Sequence, residues 1–260
     1  DYATTPAKKL ETGLADFAIA PFESVISLNN KASKVNAVAV AALLQNDISS
    51  VVTLSSGKIT RPKELDNHSY ASYQARYEDA IVKQMIINDG GTGNIEISYP
   101  KKLGIWDTLL TNKADATWIF NNWEGVEAET KNIRLNKFAL ADYGIPYAYS
   151  PVLFSTQEKI SSNTDTYKAF LKATKKGFQA AISNQAQAVE ILSKYLSKRD
   201  IENVDIAKSQ AFAANFYGDA ALWGTMDDNR IKLFLNWLIK NKLENEIILS
   251  QKLYTNELLG

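Results

Sequence analysis

Glu124 stands where a side chain could do chemistry. It follows Phe120, Asn121, Asn122 and Trp123, at the point where an apolar strand over 116–120 breaks into a helix that also carries Glu127 and Glu129. A carboxylate in the first turn of a helix is favoured by the helix dipole and stays ionised as an acceptor for amines or ring N–H groups. Phe120 and Trp123 flank it, and a planar heterocycle needs both an aromatic face and a directed carboxylate. The alternative is a first-turn charge and nothing more, a contribution of typically about 0.3–1 kcal/mol. Tyr73, Tyr147 and Tyr149 sit in predicted loops, where an aromatic is either a binding residue or a lid on the core; the binding reading is preferred for Tyr73 and Tyr147. Trp118 lies inside the strand and reads as core or as the floor of a cleft, and Trp123 as core or as part of the site.

Other constellations carry less. His68, beside Asn67 and ahead of a strand, has no acid or cysteine partner nearby and reads as a surface histidine. The run Asn88–Gly93 lacks the Gly-Lys-Ser/Thr of a phosphate loop and follows a helix instead of preceding one, so it is a turn. Lys168–Lys176 reads as a solvated helix face.

Composition removes whole classes of chemistry. The 260 residues include no cysteine and one histidine, so disulfides, thiol nucleophiles, thiolate metal sites, histidine triads and multi-histidine zinc sites are excluded. No cofactor and no metal is expected. Lys plus Arg equal Asp plus Glu at 29 each, and no net field recruits nucleic acid or an anionic membrane. Apolar residues at 45% and charged residues at 22% suit a globular body with a large core. The apolar run near 35–44 is far shorter than the roughly 20 residues of a membrane helix.

The elements that position these residues follow from periodicity. Thr4, Thr5 and Pro6 predict a helix start, with hydroxyl cap and proline at the first helical position. Strands are predicted over 17–20, 35–42, 50–54, 94–99, 116–120, 134–140 and 152–155, with helices over 21–28, 77–88 and 103–110 between them. Residues 164–183, 186–196, 204–217 and 227–241 carry apolar residues at helical spacing, with Asn163 or Thr164 and Asp227 as caps. This order predicts an α/β protein of two lobes with a helical carboxyl-terminal layer. Lobe 1 takes residues 1–62 and 150–260, and lobe 2 residues 63–149. Opening on a helix with no strand before it predicts an incomplete sheet beside 17–20, and a fragment or a short member of its class.

Two segments echo each other: Gly13–Val25 and 114–126 each run from Ala-Asp through an apolar strand into Glu-x-Val, with Glu23 in one and Glu124 in the other. Together with Ala39–Gln45, Trp123–Glu127, Asp142–Pro146, Trp223–Asp227 and Leu253–Glu257, these segments resemble the solute-binding proteins of the thiamine-pyrimidine-precursor family. The resemblance implies the type II periplasmic binding fold and a ligand closed on between lobes by hinge motion. It also implies delivery to the membrane subunits of an ABC transporter, hence a location that is either periplasmic or extracytoplasmic and membrane-anchored. By the same likeness the pocket takes Glu23 and Ser24 from one lobe and Tyr73, Phe120, Asn121 and Glu124 from the other. Three departures stand out: the family's opening strand and helix are missing before Asp1, Trp118 and Ile119 replace small residues, and there is no cysteine cluster. Eukaryotic pyrimidine synthases of the same superfamily use a histidine and a cysteine-rich segment. The lack of that segment favours a binding protein over an enzyme.

Overall fold

The computed structural model describes residues 5–30, 35–101 and 104–260. Thr4 and Leu103, which the expected first helix start and fourth helix include, lie outside them. The strands are β1 (Ala18–Ala20), β2 (Ala37–Ala42), β3 (Ser49–Leu54), β4 (Ser69–Ala71), β5 (Glu96–Ser98), β6 (Ala116–Phe120), β7 (Leu135–Ala139) and β8 (Val152–Thr156). The helices are α1 (Pro6–Glu11), α2 (Phe22–Asn29), α3 (Glu78–Asn88), α4 (Ile105–Leu110), α5 (Glu124–Thr130), α6 (Gln157–Ser162), α7 (Thr164–Ser183), α8 (Gln185–Ser193), α9 (Lys198–Asn203), α10 (Ile206–Ala214) and α11 (Asp228–Lys240). Local chemistry accounts for several boundaries. Thr5 accepts from the Lys8 N–H at 3.2 Å ahead of Pro6, and Asp227 accepts from the Arg230 N–H at 2.7 Å to start α11. Asn163 makes no such cap bond to α7.

The chain divides into two compact units. The first contains Asp1–Asp47, Ala148–Ala188 and Ala213–Gly260. Its sheet has the order β1-β8-β2, with β8 antiparallel to both neighbours. Every residue of β2 is buried, the pattern of a strand covered on both faces. Val40, Leu153, Tyr167, Leu171 and Trp223 pack into the core on that strand. Among the described residues β1 pairs with β8 alone, and Ile19 on it is 51% exposed.

The second unit contains Ile48–Tyr147 and Val189–Phe212. Its sheet has the order β5-β4-β6-β3-β7; β4 runs parallel to β5 and β6, and β3 antiparallel to β6 and β7. The division differs from the predicted lobes at 148–149, where the boundary moves by two residues, and in two longer stretches. Residues 48–62 join the second unit because Ser49–Thr53 pair with Phe120–Ala116 and Ser50–Leu54 with Ala139–Leu135. Residues 189–212 join it because Val204 and Ile206 pack on Val126, with Val189 and Leu196 against them. Both reasons are tertiary: a strand's partner is set by which sheet can bury its two faces. Among the described residues no helix is long and apolar enough to cross a membrane.

Candidate functional site

The pairing of the second sheet decides which residues share an end. β4 and β6 are parallel and finish at Ala71 and Phe120, while antiparallel β3 starts at Ser49 opposite Phe120. The carboxyl ends of parallel strands, with the loops that follow, are the usual ligand crevice of an open α/β sheet. Here that end carries Ser72 and Tyr73 after β4, Phe120 to Glu124 after β6, and Ser49 and Ser50 at the start of β3.

Glu124 is the first residue of α5, and its Oε2 accepts the Phe120 N–H at 3.0 Å. The carboxylate therefore reaches back over the turn that links strand to helix. Burial raises its pKa above the usual value, opposed by hydrogen bonds from the Phe120 and Glu124 N–H groups, with Glu127 raising it further. Desolvation thus outweighs the help a helix end was expected to give. The raised value makes Glu124 a carboxylate with a strong demand for donors.

Tyr73 and Phe120 supply aromatic surface, 49% and 40% exposed. Partial burial raises the Tyr73 hydroxyl pKa, and the charges of Glu124 and Glu78 raise it further; the hydroxyl is a hydrogen-bond donor throughout the neutral range. The backbone that carries Tyr73 is held by Glu78, a residue that sequence reading missed. Glu78 is 3% exposed. Its Oε1 accepts the Tyr70 hydroxyl at 2.6 Å, and its two oxygens accept the N–H groups of Tyr73 at 3.0 and 3.1 Å and of Ala75 at 3.1 Å. Between them Gln74 takes φ +62°, a left-handed conformation that this set of bonds holds in place.

Asn121 turns out to be a latch. Its Nδ2 donates to Ile48 O at 3.0 Å and Ser50 Oγ at 2.8 Å, tying the end of β6 to the start of β3, while its Oδ1 is buried without a hydrogen-bond partner. Both amide donors are spent inside the protein, and only an acceptor is left over. Trp123 packs with Val126, Val204 and Ile206, so part of its ring serves as core. Tyr147 lies edge-on to Trp118, ring centroids 6.2 Å apart, and Trp118 is 9% exposed.

Glu23 and Ser24 open α2 in the first unit, Glu23 buried at 7% exposure and Ser24 half-buried. The same unit holds a second constellation not anticipated from sequence. The Arg230 guanidinium lies 4.2 Å over the Tyr149 ring, the Tyr149 hydroxyl accepts the Asp227 N–H at 2.8 Å, and Arg230 donates to the Gln45 carbonyl. Tyr149 is 3% exposed, so the loop tyrosine is a packing residue. Burial lowers the Arg230 pKa, with Tyr149 and Asp47 acting against the fall. The signal available in the sequence was an arginine three residues after a helix cap.

His68 differs from its expected isolation: its Nδ1 is 3.3 Å from Asp115 Oδ2. The same oxygen accepts the Ser69 N–H at 2.9 Å and the Ser69 hydroxyl at 2.7 Å. Parallel pairing of Tyr70 with Ala116 brings the acid to Ser69 across 46 residues of chain, and so to the neighbouring His68. Among the described residues no group of three or more His, Cys, Asp or Glu side chains could hold a metal ion.

Residues 2–188 match the family model described as NMT1/THI5 like. A formylaminopyrimidine-binding protein of Halalkalibacterium halodurans is 23% identical over 194 residues, 73% of this chain and 57% of that protein; this chain thus spans little more than half of the relative's length. The periplasmic aliphatic sulphonate binding protein SsuA from Escherichia coli superposes with a TM-score of 0.71 at 12% identity, covering 95% of this chain and 78% of the other. The desulfurization enzyme DszB superposes with a TM-score of 0.61 at 11% identity, covering 93% and 83%. The fold is the two-lobed α/β fold of periplasmic binding proteins.

Proposed function

The chain belongs to the NMT1/THI5-like family, and from that premise we propose that it is the solute-binding component of an ABC importer, taking a small heteroaromatic amine of the formylaminopyrimidine kind. The observation that carries the reading is Glu124. A half-buried carboxylate of raised pKa closes the strand-to-helix turn beside the half-exposed rings of Tyr73 and Phe120. An aminopyrimidine offers donors to such a carboxylate, a flat face to the rings and an acceptor for the Tyr73 hydroxyl. Ring N–H or amino groups would lower the Glu124 pKa again on binding, which is where the affinity arises.

The reading extends to Trp123 and Tyr147 as walls of the site, to Asn121 as the residue that sets the strand ends, and to Glu23 and Ser24 of the first unit as further ligand contacts. It also carries transporter membrane subunits as partners and an extracytoplasmic location, periplasmic or membrane-anchored. A binding protein is preferred to a catalyst because the site offers a carboxylate, a phenol and rings, and the chain has no cysteine. DszB is an enzyme on the same fold, so the fold alone does not choose.

Calorimetric titration with formylaminopyrimidine and related aminopyrimidines tests the reading, with mass spectrometry of the mixture to detect turnover. Charge-assisted hydrogen bonds contribute about 1.5–3 kcal/mol, so Glu124→Gln weakens binding about tenfold to a hundredfold with the fold intact. Glu23→Gln titrated in the same way tests the first unit's share. Equal affinity of wild type and Glu124→Gln would reduce Glu124 to a helix-end charge, and conversion of the pyrimidine would make the protein an enzyme.

A further inference from the structure

The strand ends that carry Glu124 and Tyr73 carry one more aromatic residue. β5, β4 and β6 lie side by side and run parallel, so all three finish at the same end of the sheet. Phe120 ends β6, Tyr73 follows β4 by two residues, and Tyr99 follows β5 directly. The three side chains are 40%, 49% and 50% exposed, so each keeps surface for something outside the core. Neighbouring strands are about 4.8 Å apart, which sets Tyr99 roughly 10 Å from Phe120, with the strand of Tyr73 between them.

Tyr99 is held in place. Its hydroxyl donates to Asp79 Oδ2 at 2.6 Å, and Asp79 Oδ1 accepts the Ser72 hydroxyl at 2.8 Å. The pairing of β4 with β5 continues past the strands, as the Ser72 N–H donates to Ser98 O at 2.9 Å. Asp79 thus ties the end of β5 to the loop of Tyr73, and its neighbour Glu78 holds that loop from inside. The bond to Asp79 is the main cause of a raised Tyr99 pKa, and the charge of Glu78 adds to it; the same Glu78 charge adds to burial in raising that of Tyr73. Two consecutive acids at the start of α3 therefore serve both tyrosines.

With its hydroxyl spent on Asp79, Tyr99 has its ring to offer. Among the described residues that ring meets no other aromatic ring, and β5 is an edge of its sheet, paired with β4 alone. A fixed, half-exposed ring in line with two others is a surface on which a flat group can stack. A pyrimidine bound at Glu124 and Phe120 lies roughly 10 Å from Tyr99, beyond the about 4.5–7 Å at which ring centroids make contact. We propose that Tyr99 is a further ligand-binding residue of this site, and that the solute is an aminopyrimidine carrying a second ring on a short arm. The pyrimidine then lies at Glu124 and the second ring on Tyr99. Tyr99 has this role only if Glu124 takes the pyrimidine, as proposed above; the arm is the added element.

Calorimetry compares two compounds: an aminopyrimidine with a methyl group at ring carbon five, and the same compound with a phenylethyl group there. Wild type is expected to bind the phenylethyl compound about threefold to tenfold more tightly, the worth of one aromatic stack. In Tyr99→Ala that advantage falls to within about twofold, while the methyl compound binds as it does to wild type. Circular dichroism establishes that the variant is folded; Tyr99→Thr, which suits a strand end, replaces it if not. Equal binding of the two compounds by wild type overturns the proposal. So does an advantage of the phenylethyl compound that survives loss of the Tyr99 ring, which would put the arm elsewhere. In either case, binding of the methyl compound that Glu124→Gln weakens leaves the solute reading standing. Failure of wild type to bind both compounds would overturn the solute reading and the role of Tyr99 together.

Discussion

Glu78→Gln tests whether one buried carboxylate builds the Tyr73 loop. Glu78 accepts from three donors: Tyr70 hydroxyl, Tyr73 N–H and Ala75 N–H. Glutamine keeps the shape and one acceptor oxygen but turns the other into a donor facing donors. With its carbonyl toward Tyr70, the Tyr73 and Tyr70 bonds survive as neutral ones and the Ala75 N–H is orphaned. A bond to a charged group contributes about 1.5–3 kcal/mol and a neutral one about 0.5–1.5. Two weakened bonds at about 1 kcal/mol each and one lost charged bond give a destabilisation of roughly 4 kcal/mol. In a chain of this size that is a fall in Tm of about 8–16 °C. Urea unfolding followed by circular dichroism measures it, as a shift in midpoint at constant slope. Tyr70→Phe in the same background should be less than additive, because it removes a donor the glutamine no longer serves well. The variant should also bind aminopyrimidine more weakly, since the ring of Tyr73 loses its support. A Glu78→Gln protein within about 0.5 kcal/mol of wild type, inside the ordinary range for surface changes, would refute the account of the loop.

Further outcomes follow from the same reasoning. The raised Glu124 pKa means the native state holds that proton more tightly than the unfolded chain. Its stabilising contribution is complete below the unfolded value of about 4.3 and is lost as pH rises through the folded value. Ligand affinity runs the other way, rising with pH through the same raised value; calorimetry across this range should show the trend, and Glu124→Gln should abolish it. Arg230→Ala removes a desolvated cation–π contact worth about 2 kcal/mol and a charged bond to Gln45 O, so thermal unfolding should show a loss of about 4 kcal/mol. Arg230→Lys should recover less than half of that loss, because an ammonium cannot stack as a guanidinium does. Gly224→Ala places a Cβ 2.8 Å from Leu259 Cδ2 and 3.3 Å from Ala41 Cβ at φ +85°; overpacking costs about 1–3 kcal/mol and the left-handed backbone about 1 more. A Gly224→Ala midpoint unchanged in urea would contradict that packing.

The sequence by itself determined the parts whose causes are local. Thr5 with Pro6 starts α1 and Asp227 starts α11 because a cap is a matter of three or four residues. The run at 116–120 is β6, and Glu124 is the first residue of α5, because an apolar strand breaking into acidic helix chemistry is written in consecutive side chains. The family was legible too, from short segments in order along the chain. Tertiary structure decided whatever depends on residues far apart in sequence. Ser49–Leu54 is strand by composition wherever it sits, and only pairing with Ala116–Phe120 and Leu135–Ala139 assigns it to the second unit. Ser69 meets Asp115, and Asn121 meets Ser50, across spans of 46 and 71 residues set by sheet register. Glu124 shows the division within one side chain. The sequence placed it at a helix start, where the dipole favours its charge, and burial in the folded unit raised its pKa, because desolvation comes from every neighbour at once.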